Sequence, residues 1–174
     1  MNISKIIKRF APSYFVTIFY FMKFGCLISP RAEVEISSFL KIGKNTNIGS
    51  FTKIKASEGP LSIGSNTTIG VGCHIGSGKK GIRIGKDCLI SAHVIIIGNN
   101  YKYDKIHIPI REQGFTYKGT SIDDNVWIGA GSCILDGSEI GSGSIISPNS
   151  VVSAKIPPNS IVQGNPAKVI FTRR

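Results

Sequence analysis

From Ile42 onward a large aliphatic residue opens every sixth position, usually with glycine or another small residue behind it. The units read IGKNTN, IGSFTK and IKASEG, then IGSNTT, IGVGCH and IGSGKK after an offset of three residues. A second offset leads to IGKDCL, ISAHVI and an opening at Ile96. After a gap, IDDNVW, IGAGSC, ILDGSE, IGSGSI, ISPNSV and a last unit at Val152 run on unbroken from Ile122. All fifteen openings are Ile or Val. A helix repeats its apolar stripe every ~3.6 residues and a half-buried strand every two, so neither explains a period of six. Self-similarity at a fixed period is the signature of a solenoid. Each unit is a short strand plus a turn; the aliphatic points inward, and the small residue after it permits a sharp bend. Both offsets fall after a third unit, so the units group in threes. The pattern predicts an all-β, triangular parallel β-helix with 18 residues per coil and about five coils, occupying residues 31–161.

The repeat is broken once. Ile96 and Ile122 stand 26 residues apart where six would continue the pattern. The intervening segment predicts a loop over 98–121 that contains GNNYKYD and PIREQG. Long loops leaving a compact solenoid tend to carry function, whereas a scaffold or ice-binding solenoid needs none.

Residues 1–30 stand apart from the repeat. FAPSYFVTIFYFMKFGCLI, from Phe10 to Ile28, is apolar and aromatic, but Pro12 and Lys23 interrupt it. No small-x-small cleavage site follows cleanly, and the run is short for a spanning helix. It predicts a helical cap on the end of the core or an amphipathic segment lying on a membrane. The net charge of +11 falls largely toward the two ends: no acidic residue precedes Glu33, and after Glu139 the only charges are Lys155, Lys168, Arg173 and Arg174. Such ends suit anionic partners, either a phosphorylated cofactor, a nucleotide-linked or acidic sugar, or an anionic membrane surface. No helix-turn-helix, zinc-finger or aromatic-basic RNA motif points to nucleic acid. The four cysteines form no CxxC pair or His-Cys cluster and read as buried reduced thiols of a cytoplasmic protein, one that would sit at most peripherally on the inner face of the membrane.

The repeat over 42–157, PIREQG, IDDNVWIGAGSCILDGSEIG and IPPNSIVQGNPAKVI together resemble the hexapeptide-repeat acyltransferases. The likeness is to the branch of galactoside, maltose, nodulation-factor, O-antigen and xenobiotic acetyltransferases. The resemblance implies a left-handed coil, although parallel crossovers are ordinarily right-handed. It also implies a homotrimer with active sites in the clefts between subunits, acetyl-CoA as donor, no metal, and a sugar acceptor that is a nucleotide- or lipid-linked precursor of cell-surface polysaccharide. Gly129-Ala130 and Ser147-Pro148 lie 18 residues apart, hence stacked, as a small-residue track for pantetheine. Gly164, Asn165 and Pro166 fall in the family's end motif in the tail 162–174, where its turn packs near adenine. Lys168, Arg173 and Arg174 are placed to meet phosphates. Trp127, in VWIG, would line the acceptor cleft together with Asn99, Asn100 and Tyr103 of the loop.

Acyl transfer to a hydroxyl or amine calls for a proton acceptor. The family places a histidine at the start of the loop, and alignment on PIREQG puts Tyr101 there. A tyrosine, with an ordinary pKa of about 10, is a poor base at neutral pH. The other candidates are His93, on the strand entering the loop, His107 within it, and His74, 19 residues before His93. A third route needs no base: an amine acceptor reacts through its minor deprotonated fraction held against the thioester. Two rivals share the fold. One is an inactive or scaffold β-helix that binds a partner. The other is a γ-type carbonic anhydrase, whose paired zinc histidines the spacings of 19 and 14 do not supply.

Overall fold

A computed structural model describes residues 13–174; Lys5, Lys8, Arg9 and the start of the apolar run lie outside the described residues. The chain winds a left-handed triangular β-helix. Face A stacks Leu27–Ile28, Asn47–Ile48, Thr68–Ile69, Leu89–Ile90, Trp127–Ile128, Ile145–Ile146 and Ser160–Gly164 in parallel, and Ala167–Thr172 closes it antiparallel. Face B stacks Glu33–Val34, Lys53–Lys55, His74–Gly76, Ile95–Ile97, Cys133–Ile134 and Val151–Val152. Face C stacks Leu40–Ile42, Leu61–Ile63, Ile82–Ile84, Thr120–Ile122, Glu139–Ile140 and Lys155–Ile156.

The repeat unit explains each feature. Its opening aliphatic is buried in the prism, as at Ile48, Ile54, Ile75, Ile96, Ile128, Ile134 and Ile146. Its fourth residue takes a left-handed conformation that turns the corner, with φ near +57° at Asn66, Asp87, Asn125 and Asn149. At most such corners the fifth is a small hydroxyl or thiol folded beneath, with Val94 and Val126 taking that place in two units. Thr46, Thr67, Ser132 and Ser144 donate to the carbonyls of Gly64, Gly85, Ser147 and Pro157 in the next coil, at 2.9–3.0 Å. Among the described residues every buried side-chain nitrogen or oxygen has a partner, as burial of polar groups demands. The second position is small because the coils touch there: a Cβ on Gly129 would lie 2.5 Å from the Pro148 nitrogen.

There are about six coils, one more than the hexads predict. The extra one is Leu27–Ile42, in which Ile28, Val34 and Leu40 turn inward. It escapes the pattern because Ser29 and Glu35 follow its aliphatics instead of glycine. The three-residue offsets are absorbed on face C. There Leu40, Leu61 and Ile82 pair in register at a 21-residue spacing, and each strand turns two aliphatics inward instead of one.

Helix α1, Ser13–Phe24, covers the open first coil. Val16 and Tyr20 are buried in the core, and the Tyr20 hydroxyl donates to the Glu35 carbonyl at 2.9 Å. Gly25, at φ +63°, ends the helix in the left-handed C-terminal conformation, its N–H bonded to the Phe21 carbonyl. Leu27 and Ile28, within the 1–30 segment, belong to the first strand of face A.

Candidate functional site

The long loop leaves at the corner between faces B and C, after Ile97, and re-enters at Thr120, whose hydroxyl donates to the Ile97 carbonyl and closes its base. Asp136 accepts the Lys118 and Gly119 N–H groups and anchors the returning limb. Asn100–Tyr101 pairs antiparallel with Phe115–Thr116, and the Tyr101 and Phe115 rings pack with centroids 4.4 Å apart. Tyr101 thus clasps the neck of the loop. Gln113 of PIREQG organises the tip: its amide donates to the Lys105 and Ile108 carbonyls and accepts from the Lys105 N–H. Tyr103, Ile106, His107 and Ile110 are left exposed, Ile106 to 92%. A loop held internally by one glutamine while exposing isoleucines is shaped to lie against another surface.

The corner between faces A and B gathers most of the remaining candidates. Ser91 to His93, Gly129 to Gly131 and Ser147 to Asn149 stack there in successive coils; the Gly131 N–H bonds to the Ala92 carbonyl and the Asn149 N–H to the Ala130 carbonyl. The turn of the terminal hairpin reaches the same corner, where the Gly164 N–H donates to the Ser150 hydroxyl. Asn165, Pro166 and Lys168 are exposed beside it. Trp127 stands outward on face A and its indole N–H donates to the Ser91 hydroxyl at 3.1 Å. The small-residue track is therefore a continuous edge of exposed Ala130, Pro148 and Asn165, with Gly129 buried beneath Pro148 so that the coils can approach. Arg173 lies elsewhere: its guanidinium donates to the Gly143 carbonyl and its N–H to the Asn159 carbonyl, on the corner between faces C and A.

The histidines occupy three distinct settings. His93 is a corner residue at φ +58°, exposed, its ring lying over Gly72, where a Cβ would come within 2.5 Å of Nδ1. His107 is in the exposed part of the loop. His74 stands half-buried on face B, in a cleft of about 150 Å³ shared with Lys55, Ser57, Glu58 and Asn99. Burial, then Lys55 and Lys53, hold its pKa below the ordinary histidine value, which keeps the imidazole neutral. The 21-residue register sets His74 beneath Ile95 on the face from which the loop departs. In one chain the loop residues and the corner residues lie on opposite edges of face B and do not meet. Burial raises the thiol pKa of Cys26, Cys73, Cys88 and Cys133, as suits structural cysteines. Among the described residues no three His, Cys, Asp or Glu side chains gather as a metal site.

The outer surfaces of the prism differ in character. Face A presents Leu89, Trp127, Ile145, Ile161 and Phe171 in one register, and face B presents Ile95, Cys133 and Val151. Face C carries the ion pairs Arg83–Asp123 and Lys155–Glu139. The corner between A and B is thus flanked by apolar surface on both sides.

Two family models match the chain. The bacterial transferase hexapeptide (six repeats) matches residues 119–154, and the hexapeptide repeat of succinyl-transferase matches residues 60–97. Rv3034c of Mycobacterium tuberculosis, named as an acetyltransferase, is 33% identical over 139 residues, covering 78% of this chain and 45% of its own length. WbbJ of Escherichia coli, named as a lipopolysaccharide biosynthesis O-acetyl transferase, is 34% identical over 104 residues, covering 56% of this chain and 53% of its own. The chain thus spans about half the length of these curated relatives. Among solved structures, AntD, an N-acyltransferase from Bacillus cereus in complex with dTDP and 3-hydroxybutyryl-CoA, superimposes with a TM-score of 0.76 at 24% identity, covering 86% of this chain and 81% of that one. That likeness is one of fold.

Proposed function

Because the chain belongs to the hexapeptide-repeat acyltransferase family, we propose that it transfers an acetyl group from acetyl-CoA to a hydroxyl or amine of a sugar, as a nucleotide- or lipid-linked precursor of cell-surface polysaccharide. The names of Rv3034c and WbbJ support the reaction class, and WbbJ the lipopolysaccharide setting. The observation that carries the reading is the AB corner, where Trp127, His93, the stacked small residues and the hairpin turn share one edge. A thin pantetheine chain fits an edge of Ala130 and Pro148, where no large side chain projects. Lys168, exposed beside the turn, supplies a cation for phosphate.

The working unit is a homotrimer. The apolar flanks of the corner pack against neighbouring chains, and the loop of one chain spans the cleft to the AB corner of the next. This assembly unites two sets of residues that a single chain keeps apart. In the cleft the acceptor oxygen or nitrogen attacks the thioester carbonyl carbon, the C–S bond breaks, and the acceptor proton passes through His93 to the departing thiolate. Trp127 and Tyr103 offer ring faces to the sugar, and Asn99 and Asn100 hydrogen-bond it. Tyr101 serves as the clasp of the loop. His107, on the exposed loop, reaches toward the neighbour's corner.

The test is thermal denaturation with and without acetyl-CoA, followed by steady-state kinetics of His93→Asn. Asparagine already occupies the equivalent corner position at Asn45, Asn66, Asn125 and Asn149, so the fold tolerates it. Acetyl-CoA at a hundredfold excess over its Kd raises Tm by several degrees, as linkage of about 2.7 kcal/mol requires. His93→Asn keeps that shift and lowers kcat by roughly 10²–10⁴. An unchanged Tm in millimolar acetyl-CoA refutes the donor, and an unchanged kcat in His93→Asn refutes the proton route.

A further inference from the structure

Helix α1 is apolar on both sides. Val16, Tyr20 and Phe24 face the first coil. Tyr14, Phe15, Ile18, Phe19, Phe21 and Met22 face away from it, with 41–81% of their surface exposed. At about 100° per residue these six fall within one arc of roughly 160°. A helix facing water carries its polar residues on that side, and an exposed apolar patch of this size marks an interaction surface. Leu27, Phe39 and Phe51 are further exposed apolar residues of the first two coils, with the Arg31 guanidinium 5.9 Å from the Phe51 ring centroid. Lys23, the helix's one charged residue, holds its ammonium 5.0 and 5.3 Å from the Phe24 and Phe19 rings, the posture of a cation resting at an apolar boundary.

Charge identifies the occupant. Among the described residues, 13–55 hold six Lys or Arg against Glu33 and Glu35, a balance of +4. Both acids are engaged, Glu33 with Lys53 and Glu35 with the Ala56 N–H. A second copy brought against this end would oppose +4 with +4. An anionic surface with an apolar interior meets both demands. The helix packs on the first coil, several coils away from the loop and from the candidate residues 91–149 of the AB corner. At 12 residues it is too short to cross a bilayer, and no described helix is long and apolar enough to do so.

We propose that α1 and the basic end around it form a membrane-docking surface: the exposed aromatic arc enters the interfacial zone of an anionic bilayer, and the surrounding lysines and arginines meet lipid phosphates. The prism axis then stands away from the bilayer. This docking is independent of acyl transfer.

The experiment is vesicle flotation of the full chain with phosphatidylcholine alone and with phosphatidylcholine containing phosphatidylglycerol, alongside Phe15→Ser/Met22→Ser. Both side chains are exposed, and an unchanged Tm checks that the variant folds. The wild type floats with the anionic vesicles and is released by salt, whereas the double variant binds at least ~10-fold more weakly. A wild type that stays at the bottom of the gradient overturns the proposal, as does a double variant that floats equally well. It is also overturned if sedimentation shows that the substitutions halve the mass of the assembly, because the face is then covered by a second copy.

Discussion

His74 and His93 show how far one residue type is set by its neighbours. Both stand on the coils that support the loop, but His93 turns a corner in solvent while His74 stacks between Ile95 and Lys53, with Lys55 on the same strand as Lys53. Its pKa is lowered first by burial and then by those cations. The unfolded chain therefore binds a proton at that site more readily than the folded one. Stability from this source is fully present above the ordinary histidine value of about 6.5 and is lost as pH falls through the lower folded value. Urea denaturation at pH 7.5 and pH 5.5 will show a larger loss of stability in the wild type than in His74→Gln. Equal losses would mean that His74 is solvated like a free histidine. At this scale the sequence was legible in what the repeat constrains, such as the buried isoleucines and stacked small residues. It was less legible where a side chain acts across coils. Tyr101 stands at the family's histidine position, and nothing in its neighbours along the chain announces that its ring packs on Phe115, fourteen residues on.

The long loop is the element that the repeat alone cannot build. It has no aliphatic facing the core, and its shape rests on Thr120, Asp136 and above all the three hydrogen bonds of Gln113. Gln113→Ala removes the tip bonds without touching the prism. The variant will keep its Tm within a few degrees, become more readily nicked by protease between Lys102 and Arg111, and lose kcat/KM for the acceptor by roughly tenfold or more, the usual consequence of misplacing a positioning element. Retention of full activity would remove the loop from the acceptor site. The loop's boundaries were plain from the broken period. The first coil was not, because Leu27–Ile42 uses the inward positions of the repeat without its glycines. Helix α1 was legible as an apolar cap, while the aromatic arc on its outer side emerges only once Val16 and Tyr20 are seen to face inward.

For the whole molecule, the distribution of outer surfaces matters more than any one contact. In the later coils faces A and B are apolar on the outside where face C carries ion pairs, the Glu33–Lys53 pair of face B lying in the first two coils, and the loop exposes Tyr103, Ile106 and Ile110. A chain this small would leave that surface wet if it stood alone. Equilibrium sedimentation will return three times the chain mass of 18.7 kDa. Glutamates at Ile95 and Ile145 will dissociate the assembly and abolish activity while leaving a folded β-helix, because both residues face outward. A fully active single chain would contradict a site shared between subunits. A threefold assembly is implied by family resemblance alone; within the sequence, one-sided apolar exposure cannot be read until the register assigns each isoleucine to the inside or the outside.

The most direct measurement is the release of free thiol from acetyl-CoA by the purified chain across a panel of nucleotide-linked sugars and amino sugars. The account predicts release that depends on one class of acceptor, accompanied by an acetylated sugar in equal amount, and reduced by roughly 10²–10⁴ in His93→Asn. Acceptor-independent release, or none with any sugar under conditions where acetyl-CoA raises Tm, would contradict it.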